Sequence, residues 1–192
     1  TWAGKTDQLI LHLFYNTGMR QAELAGLKET DISKSNGAIK VLGKGNKERI
    51  IPVSNQLIQK MQDYMDDKRK VLEAFEHYLG PYPFFRDGYG LVEAPYLGME
   101  HQSAIAYGNK FQRGYLGSRI PDEFDFDYII LHETAHEYWG NSVSCKDHAD
   151  MWLHEGFATY MESLFVEYFY GREAALRYLN SQKKGISNDQ PL

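Results

Sequence analysis

Residues 131–160, LHETAHEYWGNSVSCKDHADMWLHEGFATY, constrain the fold of this chain more than any other stretch. They hold His132, Glu133 and His136 in the order His-Glu-x-x-His, and eighteen residues then separate His136 from Glu155. On an α-helix, residues four apart share a face with their Cβ atoms about 5–6 Å apart. His132 and His136 can therefore offer two imidazoles to one ion. Zinc takes neutral ring nitrogens at ~2.0–2.1 Å, favours four-fold tetrahedral coordination and keeps one position open in catalytic sites. A third ligand has to come from outside that helix, and Glu155 on a following helix is the candidate. Glu133 lies on the same helix but offset from the histidines, where a general base beside a metal belongs. The apolar residues 128–131 suit a buried helix start, and Trp152, Leu153, Phe157 and Tyr160 give the second helix an apolar stripe. The plainer alternative is a partly exposed helix with two ordinary histidines.

The rest of the composition sets limits. With 192 residues and 43% hydrophobic content, the chain falls among one- or two-domain globular proteins. No stretch approaches the ~18 consecutive apolar residues of a membrane span, and no signal sequence opens the chain. The start, TWAGKTDQLILHLF, reads instead as the inside of a folded domain. Cys145 is the only cysteine, so internal disulfides are excluded. Its lone thiol reads as structural rather than nucleophilic.

The net charge of −5 hides an asymmetry: residues 1–70 carry 12 Lys and Arg against 8 Asp and Glu, whereas residues 71–192 carry 9 against 18. A basic part joined to an acidic part suggests a nucleic-acid-facing segment attached to something else. The seam is expected near Lys68, Arg69 and Lys70, giving segments 1–70 and 71–192.

In the first segment, Thr6 or Asp7 can cap a helix carrying Leu9, Ile10, Leu13 and Phe14, which stops near Gly18. A short helix over 20–27 follows, then a hairpin with strands at 38–42 and 48–53 around the turn Gly43-Lys44-Gly45-Asn46. Ser54 can cap a helix containing Leu57, Ile58, Met61 and Tyr64. The runs TGMRQAELAGL and IKVLGKGNKERIIPVS resemble the start of the catalytic domain of Xer-type tyrosine recombinases. The resemblance implies that Arg20 contacts a scissile phosphate, that Glu23 supports the site, and that Lys44 is a hairpin acid. An Arg fork does pair bidentately with phosphate oxygens. The resemblance also implies a cytoplasmic location for this segment. The family's later His-x-x-Arg element and tyrosine nucleophile have no matching positions after residue 70. The expectation is a segment inert in recombination that keeps weak, salt-dependent DNA affinity through Lys44, Lys47 and Arg49. A solvated basic hairpin is the alternative.

In the second segment the helix continues through Phe75 and Tyr78 to Gly80-Pro81, where proline blocks it. A strand is expected at 89–94, followed by residues 98–107, where Gly98 would let a ligand approach a strand edge closely. Glu100 gives that edge a fixed negative charge suited to an ammonium group. Gly98-Met99-Glu100, HETAH and Glu155 within WLHEGFATYME together resemble the gluzincin aminopeptidases, relatives of thermolysin. That resemblance implies a zinc-dependent exopeptidase acting on peptides with a free N-terminus. His132, His136 and Glu155 would be the Zn2+ ligands, Glu133 the general base, and Gly98, Met99 and Glu100 the substrate edge, with Glu100 reading the amino terminus. His101 stands where the family usually has Asn, and reads as a structural or substrate-edge residue rather than a fourth ligand.

Other polar candidates are His148 and His154, read as surface or packing residues, and Asp150, a carboxylate that could orient a ligand imidazole. Trp139 and Trp152 are expected in the core. One more amphipathic helix is expected at 172–179, before a polar tail. The family places a transition-state-stabilising Tyr beyond residue 192, and Tyr160 and Tyr168 are too near Glu155 to match it. Metal binding is therefore expected to survive better than turnover. The expected fold is α+β: partial recombinase-like helices with a β-hairpin, then a partial thermolysin-like zincin catalytic domain. Two further readings stand beside the zinc metallopeptidase. One is a DNA-binding, recombinase-derived module; the other is a composite chain with neither activity.

Overall fold

Apolar residues at helical spacing, Leu9, Leu13 and Phe14, lie on α1 (Lys5–Thr17). Gly18 ends that helix: its φ is +58°, and its N–H donates to Phe14 O at 2.9 Å. The computed structural model describes residues 5–117 and 120–186. It divides into two compact units at Asp66 and Asp67. The side chains of Tyr64 and of the expected caps Thr6 and Asp7, and the polar tail at 187–192, lie outside what is described.

In the first unit α2 (Gln21–Ala25) is shorter than the 20–27 expected, because Gly26 and Leu27 close the helix with turn hydrogen bonds to Ala22 O and Leu24 O. The expected hairpin is present as β2 (Ala38–Gly43) and β3 (Lys47–Pro52), in register with Val41 opposite Arg49. Gly45 at φ +76° and Asn46 at φ +59° form its turn. A two-residue strand, β1 (Ile32–Ser33), widens the hairpin into an antiparallel sheet of order β1-β2-β3. Ser54 Oγ accepts from Leu57 N at 3.2 Å at the start of α3 (Asn55–Leu79). Leu13, Met19, Ile39, Val41, Ile51, Leu57 and Met61 make the core of this unit. Each such buried side chain is worth about 1.5–3 kcal/mol relative to exposure.

The second unit begins with the later turns of α3, which bury Val71, Ala74 and Phe75. Gly80 at φ +87° and Pro81 end that helix. Three short strands follow: β4 (Gly90–Glu93), β5 (Gly98–Met99) and β6 (Ala104–Tyr107), in the order β4-β6-β5. β4 runs parallel to β6 and β5 antiparallel to it, so β5 is an edge. The sheet meets α4 (Tyr128–Tyr138) through β5 and β6. Next come α5 (Trp152–Tyr170) and α6 (Arg172–Gln182), with α5 packed between α4 and α6. Phe124, Phe126, Phe165 and Tyr178 form an aromatic cluster beneath these helices, with centroids 5.3–6.5 Å apart among them. The result is a mixed helix-and-sheet chain of α+β type.

The inward face of α5 differs from the expected stripe. Ala158, Met161, Phe165 and Val166 are buried, whereas Trp152, Phe157 and Tyr160 are exposed and Leu153 is half-buried. Both sets have helical spacing, so periodicity alone could not choose between them. The first turns of α5 extend past the core and carry Glu155 towards α4. Trp152 is thus no core residue, and Trp139 is half-buried, stacked on Phe157 with centroids 4.5 Å apart.

Candidate metal centre

The site is built on α4, whose position is fixed by its cap. Asp127 accepts from the N–H groups of Ile129 and Ile130 at 2.9 and 3.1 Å. It also accepts from Asn109 Nδ2 at 2.9 Å and from the Tyr107 hydroxyl of β6. Burial pushes this carboxyl up to about 6 despite those donors. Further along the helix, the Tyr89 hydroxyl meets Thr134 Oγ1 at 2.6 Å.

On this scaffold His132 and His136 turn their Nε2 atoms towards each other, 3.3 Å apart. Glu155, in the first turn of α5, closes the triangle with Oε2 3.2 Å from His132 Nε2 and Oε1 3.5 Å from His136 Nε2. Among the described residues this is the group of His, Cys, Asp and Glu side chains placed to hold a metal. Atoms held ~2.0–2.1 Å from a tetrahedral zinc are about 3.3–3.4 Å from one another. The distance between the two ring nitrogens, and the distance from each of them to its own Glu155 oxygen, lie close to that spacing.

The outer nitrogens explain why the inner ones point inward. His136 Nδ1 donates to Trp139 O at 3.0 Å, and a carbonyl can only accept, so Nδ1 carries the proton and neutral His136 has its lone pair on Nε2. His132 Nδ1 faces Glu162 Oε1 at 3.0 Å. Two oriented imidazoles and a carboxylate are a donor set that suits zinc. Burial opposes charge on His132, but its hydrogen bonds to Glu155 and Glu162 outweigh this and push it up to about 10. Burial and the neighbouring His132 charge hold His136 low. The hydrogen bond from His132 holds Glu155 low.

Glu133 is buried and leans on β5. A Cβ on Gly98 would sit 2.3 Å from Glu133 Oε1, so the bare backbone of Gly98 makes room for that carboxylate. The close approach that a glycine permits on this strand is made here by the helix's own acid. Burial pushes Glu133 up to about 7; the His132 charge opposes this, and Glu100 and Glu155 add to it. Glu100 is half-buried, and its backbone oxygen accepts from Asn141 Nδ2 at 2.8 Å. Met99 is exposed beside it on β5. Glu137, fully buried, accepts from Ser103 N at 2.6 Å and ties the turn after Glu100 to α4.

Some candidates stay outside the centre. Asp150 is exposed in a 3-10 turn (His148–Asp150), and the carboxylate that orients a ligand histidine is Glu162 instead. His148 and His101 are exposed. His154 packs, its Nε2 accepting from Cys145 N at 2.9 Å. Glu162, Glu137 and Asn141 were missed from sequence. The available signal for Glu162 was an acid inside the otherwise apolar run around Met161 and Phe165.

In the first unit, Glu23 is buried and accepts from Arg20 N and Arg49 Nη2, each at 2.7 Å. The Arg49 hydrogen bond, with that from Arg20 N, holds its carboxyl below the usual range. The Arg20 guanidinium is largely exposed and 3.7 Å from Glu23 Oε1. Lys44 lies in the exposed turn just after Gly43, where β2 passes close to Glu23.

The comparisons divide along the chain. Residues 2–79 match the phage integrase family. Curated relatives cover the same part. Tyrosine recombinase XerC of Pelobacter propionicus is 40% identical over 65 residues, 34% of this chain and 22% of that protein. XerC of Staphylococcus saprophyticus is 42% identical over 76 residues, 40% of this chain and 26% of that protein. XerD of Yersinia pestis is 40% identical over 63 residues, 33% and 21%. The chain thus spans about a fifth to a quarter of the length of these curated relatives. Residues 64–190, which contain α4, α5 and the whole candidate centre, match the peptidase family M1 domain. That match extends over more than half of the chain, and on it the chain belongs to peptidase family M1.

Proposed function

We propose that residues 71–192 act as a zinc metallopeptidase segment of aminopeptidase type with a thermolysin-like zincin fold, hydrolysing the N-terminal peptide bond of a peptide. The observation that carries this is the triangle of His132 Nε2, His136 Nε2 and Glu155 carboxylate oxygens, with edges of 3.2–3.5 Å. These three residues would hold the ion. A zinc ion there supplies Lewis acidity, polarising a carbonyl and acidifying water at neutral pH.

The remaining chemistry belongs to the chain. Glu133, with its proton affinity raised to about 7, takes a proton from the attacking water at Oε1 or Oε2 and passes it to the departing amine. Glu100 pairs with the substrate's ammonium group, while Gly98 and Met99 on edge strand β5 flank the peptide backbone. Trp139 O and Glu162 keep both imidazoles turned inward. Glu133→Gln should retain zinc and lose hydrolysis of an aminoacyl-p-nitroanilide, whereas His132→Ala should lose both. Hydrolysis that persists in Glu133→Gln would sink the assignment.

A second reading concerns residues 1–70, an incomplete recombinase-like segment in this proposal. The Arg20–Glu23–Arg49 cluster and the integrase match favour a DNA-contacting surface that includes Arg20, Lys44, Lys47 and Arg49. Glu23 would hold Arg49 and the backbone of Arg20 in place. Gel-shift titration against salt tests it. Absent or salt-insensitive binding would dispose of this reading.

A further inference from the structure

Glu162 is the least expected group near the centre. It is a carboxylate in the middle of α5, with none of its surface exposed. Its Oε1 accepts from His132 Nδ1 at 3.0 Å. Its Oε2 accepts from the Tyr178 hydroxyl at 2.7 Å and from Gln182 Nε2 at 2.8 Å, both on α6. Tyr178 is itself buried, and Tyr128 stacks on the His132 ring at an interplanar angle of 12°. The imidazole is thus held at its outer nitrogen and on one face.

Burying a carboxylate is costly unless its charge is balanced and its oxygens are hydrogen-bonded. Tyr178 and Gln182 satisfy oxygens but are neutral. Among the described residues, the ion-pair partner of Glu162 is His132, on the side of the metal centre. A packing role for α5 against α6 would need only a neutral acceptor. What Glu162 adds beyond that packing is an acceptor for His132 Nδ1, 3.0 Å away on the side of the metal centre.

We infer that Glu162, clamped by Tyr178 and Gln182 of α6, is the positioning residue for His132, so that α6 sets the affinity of the centre for its metal. The inference rests on the metal reading proposed above. Glu162 fixes the proton of His132 on Nδ1, keeps the Nε2 lone pair aimed at Glu155 and His136, and makes the imidazole a stronger donor. Removing such an outer partner weakens metal binding about 10–100-fold.

Zinc affinity is measured by competition with a chromophoric chelator for the full chain and for Glu162→Gln and Tyr178→Phe, alongside urea unfolding of each metal-free protein. Glu162→Gln should bind zinc about 10–100-fold more weakly, measured under conditions where the unfolding curve shows the metal-free variant to be folded. Tyr178→Phe should weaken zinc in the same direction by less. The ring N–H resonance of His132 in the zinc-loaded protein should shift in both variants. If the unsubstituted chain takes up no zinc, the metal reading fails and takes this inference with it. If it binds zinc and Glu162→Gln binds equally well, the inference alone fails. Should Glu162→Gln not fold, an unchanged zinc affinity in Tyr178→Phe overturns the inference.

Discussion

Replacing Gly98 by Ala should disable the base while leaving the metal in place. The added Cβ would lie 2.3 Å from Glu133 Oε1, 2.8 Å from its Cδ and 2.7 Å from Ile129 Cγ2. Ordinary van der Waals contact begins at 3.4 Å, so about 1 Å of room has to be found. Ile129 is buried in the first turn of α4 and cannot give way cheaply. The freer movement is withdrawal of the Glu133 carboxylate by about 1 Å, and a misplacement of that size can cost ~10²-fold in rate. That corresponds to about 2.7 kcal/mol of barrier. The three atoms nearest the new methyl belong to Glu133 and Ile129, and none to His132, His136 or Glu155. The assay is kcat/KM on an aminoacyl-p-nitroanilide, with zinc content measured on the same samples. Gly98→Ala should lose about 10²-fold in kcat/KM with stoichiometric zinc. Glu133→Asp, one methylene shorter, should be less harmful in the Gly98→Ala background than alone. Unchanged activity in Gly98→Ala, or a loss that follows zinc content, would refute the reasoning.

Stability should carry the signature of Asp127. Its folded carboxyl is raised by burial from 3.8 to about 6, so the folded state binds the proton more tightly than the unfolded chain. The stabilisation is fully present below pH 3.8 and is lost as pH rises through about 6, on the order of 3 kcal/mol in all. Asp127→Asn keeps a capping acceptor and does not titrate. In urea unfolding, the unsubstituted chain should therefore lose stability relative to this variant as pH rises from 4 to 7, and a flat difference would count against it. For the first unit, replacing Lys44, Lys47 and Arg49 together should weaken DNA binding and make log K fall less steeply with log salt, by about 0.9 for each phosphate no longer neutralised. An unchanged slope would remove these cations from the interface.

What the sequence made legible was what local rules encode. The four-residue spacing of His132 and His136 is a property of any helix, and the structure puts their Nε2 atoms 3.3 Å apart. Gly18, Ser54 and Gly80-Pro81 mark helix ends through φ, a hydroxyl acceptor and a missing N–H, all local effects. What was not legible depends on pairs distant in sequence. Glu162 meets His132 across 30 residues, and only the packing of α5 between α4 and α6 brings them together. Gly98 could be read as a close approach, yet nothing local says that Glu133 is what approaches. The buried face of α5 is likewise not fixed by periodicity, which two apolar stripes satisfy equally. Trp152, Phe157 and Tyr160 lie in the turns that carry Glu155 beyond the core, while smaller Ala158 and Met161 face inward. β1, with two residues, is too short for any pattern of alternation to reveal.

The central claim is that His132, His136 and Glu155 form one zinc site. Its most direct test is the zinc content and affinity of the purified chain at neutral pH, compared with His132→Ala, His136→Ala and Glu155→Gln. The account predicts one zinc per chain, with binding abolished or severely weakened in each of the three variants. No stoichiometric zinc in the unsubstituted chain, or zinc that survives all three substitutions, would contradict it.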